Sequence, residues 1–263
     1  MTKGAYRTGL RLDRIGPDGP PMSSPPLSSI TWMDPGEDYL PTGRRAPDDA
    51  HPGDDARYAG GLNAAIRRYR DSDRAAVYDV CVRTGNGGQG VAGLYSTDDL
   101  LPDIFAGPYL LLEPEHAYVV DDGDRAVGYI IGAPDTAAFV AAYRARWIPL
   151  LTSRYQPPPE PAVTAEDQRL SGMFHPEQMM HPELAAYPAH LHINILPGYQ
   201  GSGHGRALTD RFLASVAAAG ARSCHLGVRV ANTNARAFYA RLGWQPIDVR
   251  GPEAWMFLVR ATS

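Results

Sequence analysis

The sequence predicts an α/β domain organised around a βαβ crossover, and three observations carry that prediction. The alternating run HINIL (192–196) passes through a glycine-rich turn straight into a helical segment. A second strand and a second helix follow in the same order, and an earlier pair of β-rich runs is joined by an Asp-Gly turn. The chain has 263 residues, 44% hydrophobic and 21% charged, with a formal net charge of −4. That balance offers no basic field for a polyanion, so no nucleic-acid partner is expected. Lys3 is the only lysine. Its isolation excludes a Walker-type phosphate loop and a Schiff-base lysine from the body of the chain. Two cysteines, Cys81 and Cys224, exclude a disulfide framework or a four-thiolate zinc site, and no metal is expected. No stretch approaches the ~18 apolar residues of a membrane span, and no apolar run follows the basic N-terminus. A cytoplasmic protein without a membrane partner is expected.

Pro and Gly make up 18 of the first 62 residues, and PPMSSPPLSS is an extended Pro/Ser tract. Residues 1–62 are read as an irregular arm, which Ile30, Trp32, Tyr39 and Leu40 would anchor if it wraps over the body. Residues 63–263 form the domain, long enough for a sizeable core. Residues 64–70 read as a strand, and Asp71 or Ser72 then caps a helix with Val77, Val80 and Cys81 on one face. A second helix starts behind Ser96-Thr97-Asp98-Asp99. Residues 116–120 and 126–131 form the hairpin, where Gly123 supplies the positive φ of a tight turn.

A long insert spans about 133–189. Its first part is helical up to Trp147, and Pro157-Pro158-Pro159-Glu160-Pro161 breaks it. Residues 166–190 are weakly patterned, and a connection of that length is usually functional or mobile. The remainder is regular: a strand at 191–196, a helix at 206–219 closed by Gly220, a strand at 224–230, a helix at 234–242 closed by Gly243, and a strand at 254–259.

The turn Gln200-Gly201-Ser202-Gly203-His204-Gly205 ends where a helix begins. Unpaired amides and the positive dipole end of a helix attract phosphate, and glycines let backbone approach it. A dinucleotide fingerprint fails in both registers, because Arg206 and Leu208 occupy its third glycine position. The pattern Q-x-x-G-x-G fits at Gln200, Gly203 and Gly205; a glycine turn without a ligand is the plain alternative. About 30 residues on stands NTNARAFYARLGW (232–244).

These two motifs, in this order and spacing, resemble those of the GNAT superfamily of N-acetyltransferases, with Trp244 in place of the usual Phe. Residues 109–187 further resemble the acetyltransferase-like C-terminal domain of animal O-GlcNAcases, through LLLEPEHAYVVDDGDRAVGYIIGAPDTAAFVAAYRARWIPLL and the His-rich segment after it. Those domains have largely lost the glycine turn and are regarded as pseudo-acetyltransferases; this chain keeps Gln200, Gly203 and Gly205.

The resemblance implies the GNAT fold: a central mixed, mostly antiparallel sheet with a splayed parallel strand pair and flanking helices. It implies acetyl-CoA as cofactor and an unidentified amine as acceptor, in a direct ternary complex. Backbone of Ile193 and Ile195 would hold the pantetheine arm and thioester. Gly201, Ser202, Gly203, His204, Gly205 and Arg206, with Gln200, would hold the phosphates, and Asn232 and Ala235 would flank the cofactor. Tyr239 would protonate the departing thiolate, unless it merely packs with Ala235, Phe238 and Leu242. Asn232 either touches the cofactor or caps its helix.

A general base for the amine is sought in His192 or His190, which alternate onto one strand face. Against this, a strand histidine is more often a satisfied core residue, and His190-x-His192 also fits half of a metal site. His175, His181 and Glu183 are weaker candidates for the acceptor pocket, and His204 is expected to matter through its backbone. Neither cysteine is placed for an acyl-enzyme. A catalytically silent acyl-CoA-binding or protein-interaction module stays open, as does a monomer or a homodimer. A Rossmann-type nucleotide binder survives only if NAD competes for the site.

Overall fold

A computed structural model describes residues 64–251 and 253–263; the expected N-terminal arm lies outside the described residues. Seven strands form one mixed sheet: β1 (Ala65–Arg68), β2 (Tyr118–Asp121), β3 (Ala126–Ala133), β4 (Ala189–Ile195), β5 (Ser223–Arg229), β6 (Gln245–Ile247) and β7 (Trp255–Ala261). Their order is β1-β2-β3-β4-β5-β7-β6, antiparallel throughout except for the β4–β5 pair. This is the mixed, mostly antiparallel sheet expected. The β2–β3 hairpin closes at Asp121-Asp122-Gly123-Asp124, with Gly123 at φ 100°.

Helices α1 (Arg74–Gly88) and α7 (His204–Ala218) cover opposite faces of the sheet. Asn194 of β4 donates to Thr84 of α1, whereas a Cβ on Gly132 of β3, paired with Leu191, would meet Phe212 of α7 at 2.5 Å. Side chains of alternate residues leave a strand on opposite sides. His190, His192 and Asn194 therefore face α1, while Leu191, Ile193 and Ile195 face α7. Val77, Val80 and Cys81 on one side and Leu208, Phe212 and Val216 on the other fill the two core layers.

Several expectations needed correction. Neither Asp71 nor Ser72 caps α1 directly: Asp71–Asp73 form a 3-10 turn, and Asp73 accepts the Arg70 N–H at 2.8 Å. Asp73 wins because Arg67 on β1 grips both its oxygens, at 2.6 and 2.8 Å. The helix expected to stop at Trp147 continues as α4 (Thr136–Ala142), a π turn at Tyr143–Trp147 and α5 (Ile148–Leu151). Pro149 falls in the first turn of α5, directly after the π turn.

The weakly patterned stretch contains α6 (Ala165–Phe174), held by a reciprocal cap: Thr164 Oγ1 accepts the Asp167 N–H at 3.0 Å and Asp167 accepts the Thr164 N–H at 2.8 Å. Also unforeseen were α3 (Gly107–Leu112), directly after α2 (Leu100–Phe105), and β6, whose Pro246 is allowed at a sheet edge. The helix α8 (Thr233–Arg241) lies between β5 and β6 as expected. Among the described residues no helix is long and apolar enough to cross a membrane.

Candidate active site

Strands β4 and β5 each have seven residues, yet they pair only at Ala189–Cys224 and His190–His225. The other edge of β4 stays paired with β3 from Ala133–His190 to Gly128–Ile195. Beyond His190 the β5-facing edge of β4 is therefore not paired with β5, and of its groups the Ile195 carbonyl is taken by the Gln200 side chain. The remaining groups on this edge are left without a strand partner, in the form that an extended ligand pairs with. Ile193 and Ile195 lie along this edge.

The chain leaves β4 through a 3-10 turn (Pro197–Tyr199) and enters α7 by way of the glycines. Gly203 sits at φ 88°, a conformation for which only glycine is unstrained, and a Cβ there would meet nothing within 4 Å. The outer face of the turn is thus bare backbone at a helix N-terminus. Gly205 has another role: a Cβ there would touch the Phe238 ring at 3.0 Å, so its absence lets α7 close onto α8. Gln200 turns back, its amide donating to Ile195 O at 2.7 Å, and His204 Nδ1 pairs with Tyr199 O at 3.0 Å. Tyr199 in turn donates to Asp122 at 2.6 Å, which ties the turn to the β2–β3 hairpin. Ser202 and Arg206 are exposed.

On α8, Asn232 accepts the Ala235 N–H at 3.0 Å, so its side chain caps the helix. Tyr239 is buried beside the Trp244 ring, with centroids 5.8 Å apart. Burial holds its phenol well above the ordinary tyrosine range, so it keeps its proton throughout neutral pH.

His190 and His192 meet at a residue the sequence did not reveal. Tyr109 Oη of α3 lies 2.8 Å from His190 Nε2 and 3.0 Å from His192 Nε2. His190 Nδ1 lies 2.8 Å from Thr136 Oγ1, and Thr136 donates to Pro188 O at 2.8 Å. His190 is buried with both ring nitrogens engaged, whereas His192 is only partly buried and uses one.

Burial and the neighbouring His225 lower the His192 imidazole to about 4, and burial, with His225 and His192 beside it, holds His190 well below the ordinary histidine range. His225, across the last β4–β5 pair, binds Tyr187 O through Nδ1 at 2.6 Å. His181 packs on the Phe257 ring at 4.9 Å. His175 and Glu183 stand apart from this cluster, the first exposed and the second paired with Arg250 at 3.2 Å. Glu113, Glu115 and His116 bring potential metal-ligand atoms within 4.8 Å of one another in the α3–β2 connection, but His116 Nδ1 is taken up by Ser215 at 2.8 Å.

Residues 94–244 match the model of the acetyltransferase (GNAT) family. The chain belongs to the GNAT acetyltransferase family. It is similar to the crystal structure of SsHAT, at 46% identity and a TM-score of 0.73, over 76% of this chain and 99% of that one. It is also similar to protein O-GlcNAcase of Rattus norvegicus and of Mus musculus, each 29% identical over 180 residues. Those matches span 68% of this chain but only 20% of the curated relatives.

A GNAT acetyltransferase takes its acetyl group from acetyl-CoA, and acetyl-CoA is the donor here. The residues present fit it. The bare, positively polarised turn at Gly201–Arg206 suits a pyrophosphate, and the parted edge of β4 suits an amide-bearing arm.

Proposed function

We propose that this GNAT protein transfers acetyl from acetyl-CoA directly to a primary amine. The observation that carries the reading is the parting of β4 from β5 beside His192, between the glycine turn and a buried, protonated tyrosine. Bound acetyl-CoA supplies the activated acetyl group as a thioester. Main-chain groups of Ile193 and the N–H of Ile195 would hold the arm, and an N–H of this edge would stabilise negative charge on the thioester oxygen. The first-turn amides of α7, from Gly203 to Arg206, hold the phosphates, with Gly201 and Ser202 shaping the approach. Ala235 and the Asn232 end of α8 flank them.

His192 takes the proton that the amine must lose, because it has a nitrogen to spare and His190 has none. His190 acts through its neighbours. Tyr239 delivers a proton to the leaving thiolate. The two cysteines support direct transfer: both are buried, and burial pushes the Cys81 thiol up to about 12 and Cys224 higher still, so neither offers a thiolate for an acyl-enzyme.

Calorimetric titration of acetyl-CoA into the wild type and into Gly203→Trp, which plugs the turn, tests the cofactor site. Micromolar binding that is lost in the variant is the expected result. A panel of primary amines, read by release of CoA thiol, then tests transfer. Binding without transfer to any amine would leave a silent acyl-CoA module.

A further inference from the structure

The hydroxyl of Tyr109 touches both histidines, and a hydroxyl has only one hydrogen to give. Its direction can be worked out from the far end of the chain of contacts. Pro188 O is an acceptor only, so the 2.8 Å approach of Thr136 Oγ1 to it needs the threonine hydrogen between the two oxygens. Thr136 has then no hydrogen left for His190, and the 2.8 Å contact to Nδ1 requires His190 to donate from that nitrogen. A neutral His190 with its proton on Nδ1 has a lone pair on Nε2, so Tyr109 donates there. Its oxygen is left to accept, and His192 must carry its proton on Nε2. Met179 Sδ is 3.9 Å from the same hydroxyl, but thioether sulfur is a weak acceptor and does not compete.

We propose that Tyr109 is a positioning residue that fixes His192 as the tautomer protonated on Nε2, leaving Nδ1 as the nitrogen that receives the proton of the amine. The direction is imposed from Thr136 through His190. This rests on the reading of His192 as the base. It gives each partner a distinct part: Thr136 sets the direction, His190 transmits it, Tyr109 delivers it. It also explains a buried polar arrangement that a core of this size does not need for packing. Ring contacts hold the geometry: Tyr109 stacks on Phe139 at 4.3 Å, and Phe105 meets the His192 ring at 5.8 Å. When His192 is protonated at Nδ1, its Nε2–H bond to Tyr109 remains in place, so the ring does not have to turn.

Long-range proton–nitrogen NMR correlations of the 15N-labelled protein distinguish the two tautomers of each imidazole, with His190→Asn and His192→Asn supplying the assignments. The wild type is expected to show His192 protonated on Nε2 and His190 on Nδ1. Tyr109→Phe, which keeps the stacked ring, is expected to release the His192 preference. Acetyl transfer should then slow about a hundredfold in kcat, with the affinity for acetyl-CoA unchanged within about twofold.

Thr136→Val should weaken the same preference and Thr136→Ser should restore it. A His192 protonated on Nδ1 in the wild type overturns the proposal, and so does an unchanged His192 tautomer in Tyr109→Phe. The NMR readout needs no acceptor and no turnover. If the tautomers are as stated but His192→Ala transfers acetyl at the wild-type rate, it is the assignment of the base that falls.

Discussion

Two buried polar networks hang from neighbouring short helices, and they are built to opposite ends. Asp103 of α2 is fully buried. It takes a hydrogen bond from Tyr78 at 2.7 Å and from Tyr155 at 2.9 Å, pairs with Arg154 at 2.8 Å, and offers its main-chain oxygen to the Trp147 indole at 2.9 Å. Every arm of that network ends on a partner, including Arg154, which reaches the surface and also pairs with Asp99 at 2.8 Å. Tyr109 of α3 centres a network with no formal charge, in which each bond runs in one direction and one end, His192, keeps a ring nitrogen outside the network. The two hub residues, Asp103 and Tyr109, are equally buried. The difference lies in charge and closure: a closed, ion-paired hub fixes architecture, while an open, neutral one leaves a group able to take a proton.

The largest effect is expected at the closed hub. Asp103→Ala leaves the buried Tyr78 and Tyr155 hydroxyls without their acceptor, at about 1–3 kcal/mol each, while Arg154, half-exposed, keeps Asp99 at 2.8 Å. Urea unfolding should show it. A cost below about 1 kcal/mol would mean that water replaces the carboxylate freely, and the contrast between the two hubs would collapse.

The open hub is more sensitive to backbone than to charge. Gly132 faces the α7 side of the sheet, and a Cβ there would collide with the His190 carbonyl oxygen and with Phe212. Gly132→Ala should therefore push β4 away from β3, with an overpacking cost of about 1–3 kcal/mol. His190 and His192 would shift against Tyr109, so the variant should lose the His192 tautomer preference while near-ultraviolet signals of the Trp147 and Tyr155 region persist. Equal disturbance of both regions would show that the networks are not independent.

Acid should also separate them. The folded protein holds His192 at about 4, against about 6.5 in an unfolded chain, and His190 well below its ordinary value, because burial and the nearby His225 oppose a positive charge. As pH falls below about 6.5 the unfolded chain takes up these protons first. The stability tied to the neutral rings is complete above that pH and is lost as pH drops towards 4, with a slope of about 1.4 kcal/mol per pH unit for each ring. Urea midpoints between pH 7 and 4.5 measure it, and His192→Asn should reduce the slope by one ring's share. An unaltered slope in that variant would place the acid sensitivity elsewhere.

What was legible in the sequence follows the same division. The glycine turn could be read because Gly203 answers a backbone demand and Gly205 a close approach, both local. The helix after Asn232 could be read because its cap and its face are a few residues apart. His190 and His192 were found through strand alternation, but Tyr109 lies 81 residues from His190 and Thr136 lies 54 away, and no periodicity links them. The reciprocal cap of α6 was present as Thr164-x-x-Asp167 and could have been found by its spacing. His225 could likewise have been paired with His190 once two parallel strands were expected. The depth of the splay could not, since it is the absence of pairing between two strands that each look complete.

The smallest effects make the sharpest test, because they come from one chemical change made twice. Tyr155→Phe and Tyr109→Phe each delete a single buried hydroxyl. In the first, Asp103 keeps Tyr78 and Arg154, so the loss should be about 1 kcal/mol of stability, with acetyl-CoA binding and transfer unaltered. In the second, the two histidines lose the group that orders them, and a similar loss of stability should come with the loss of transfer. Thermal unfolding and single-turnover acetylation on the same two preparations read both quantities. If both variants lose stability and both keep activity, Tyr109 is a packing residue with a hydrogen bond, and the open network is no different in kind from the closed one.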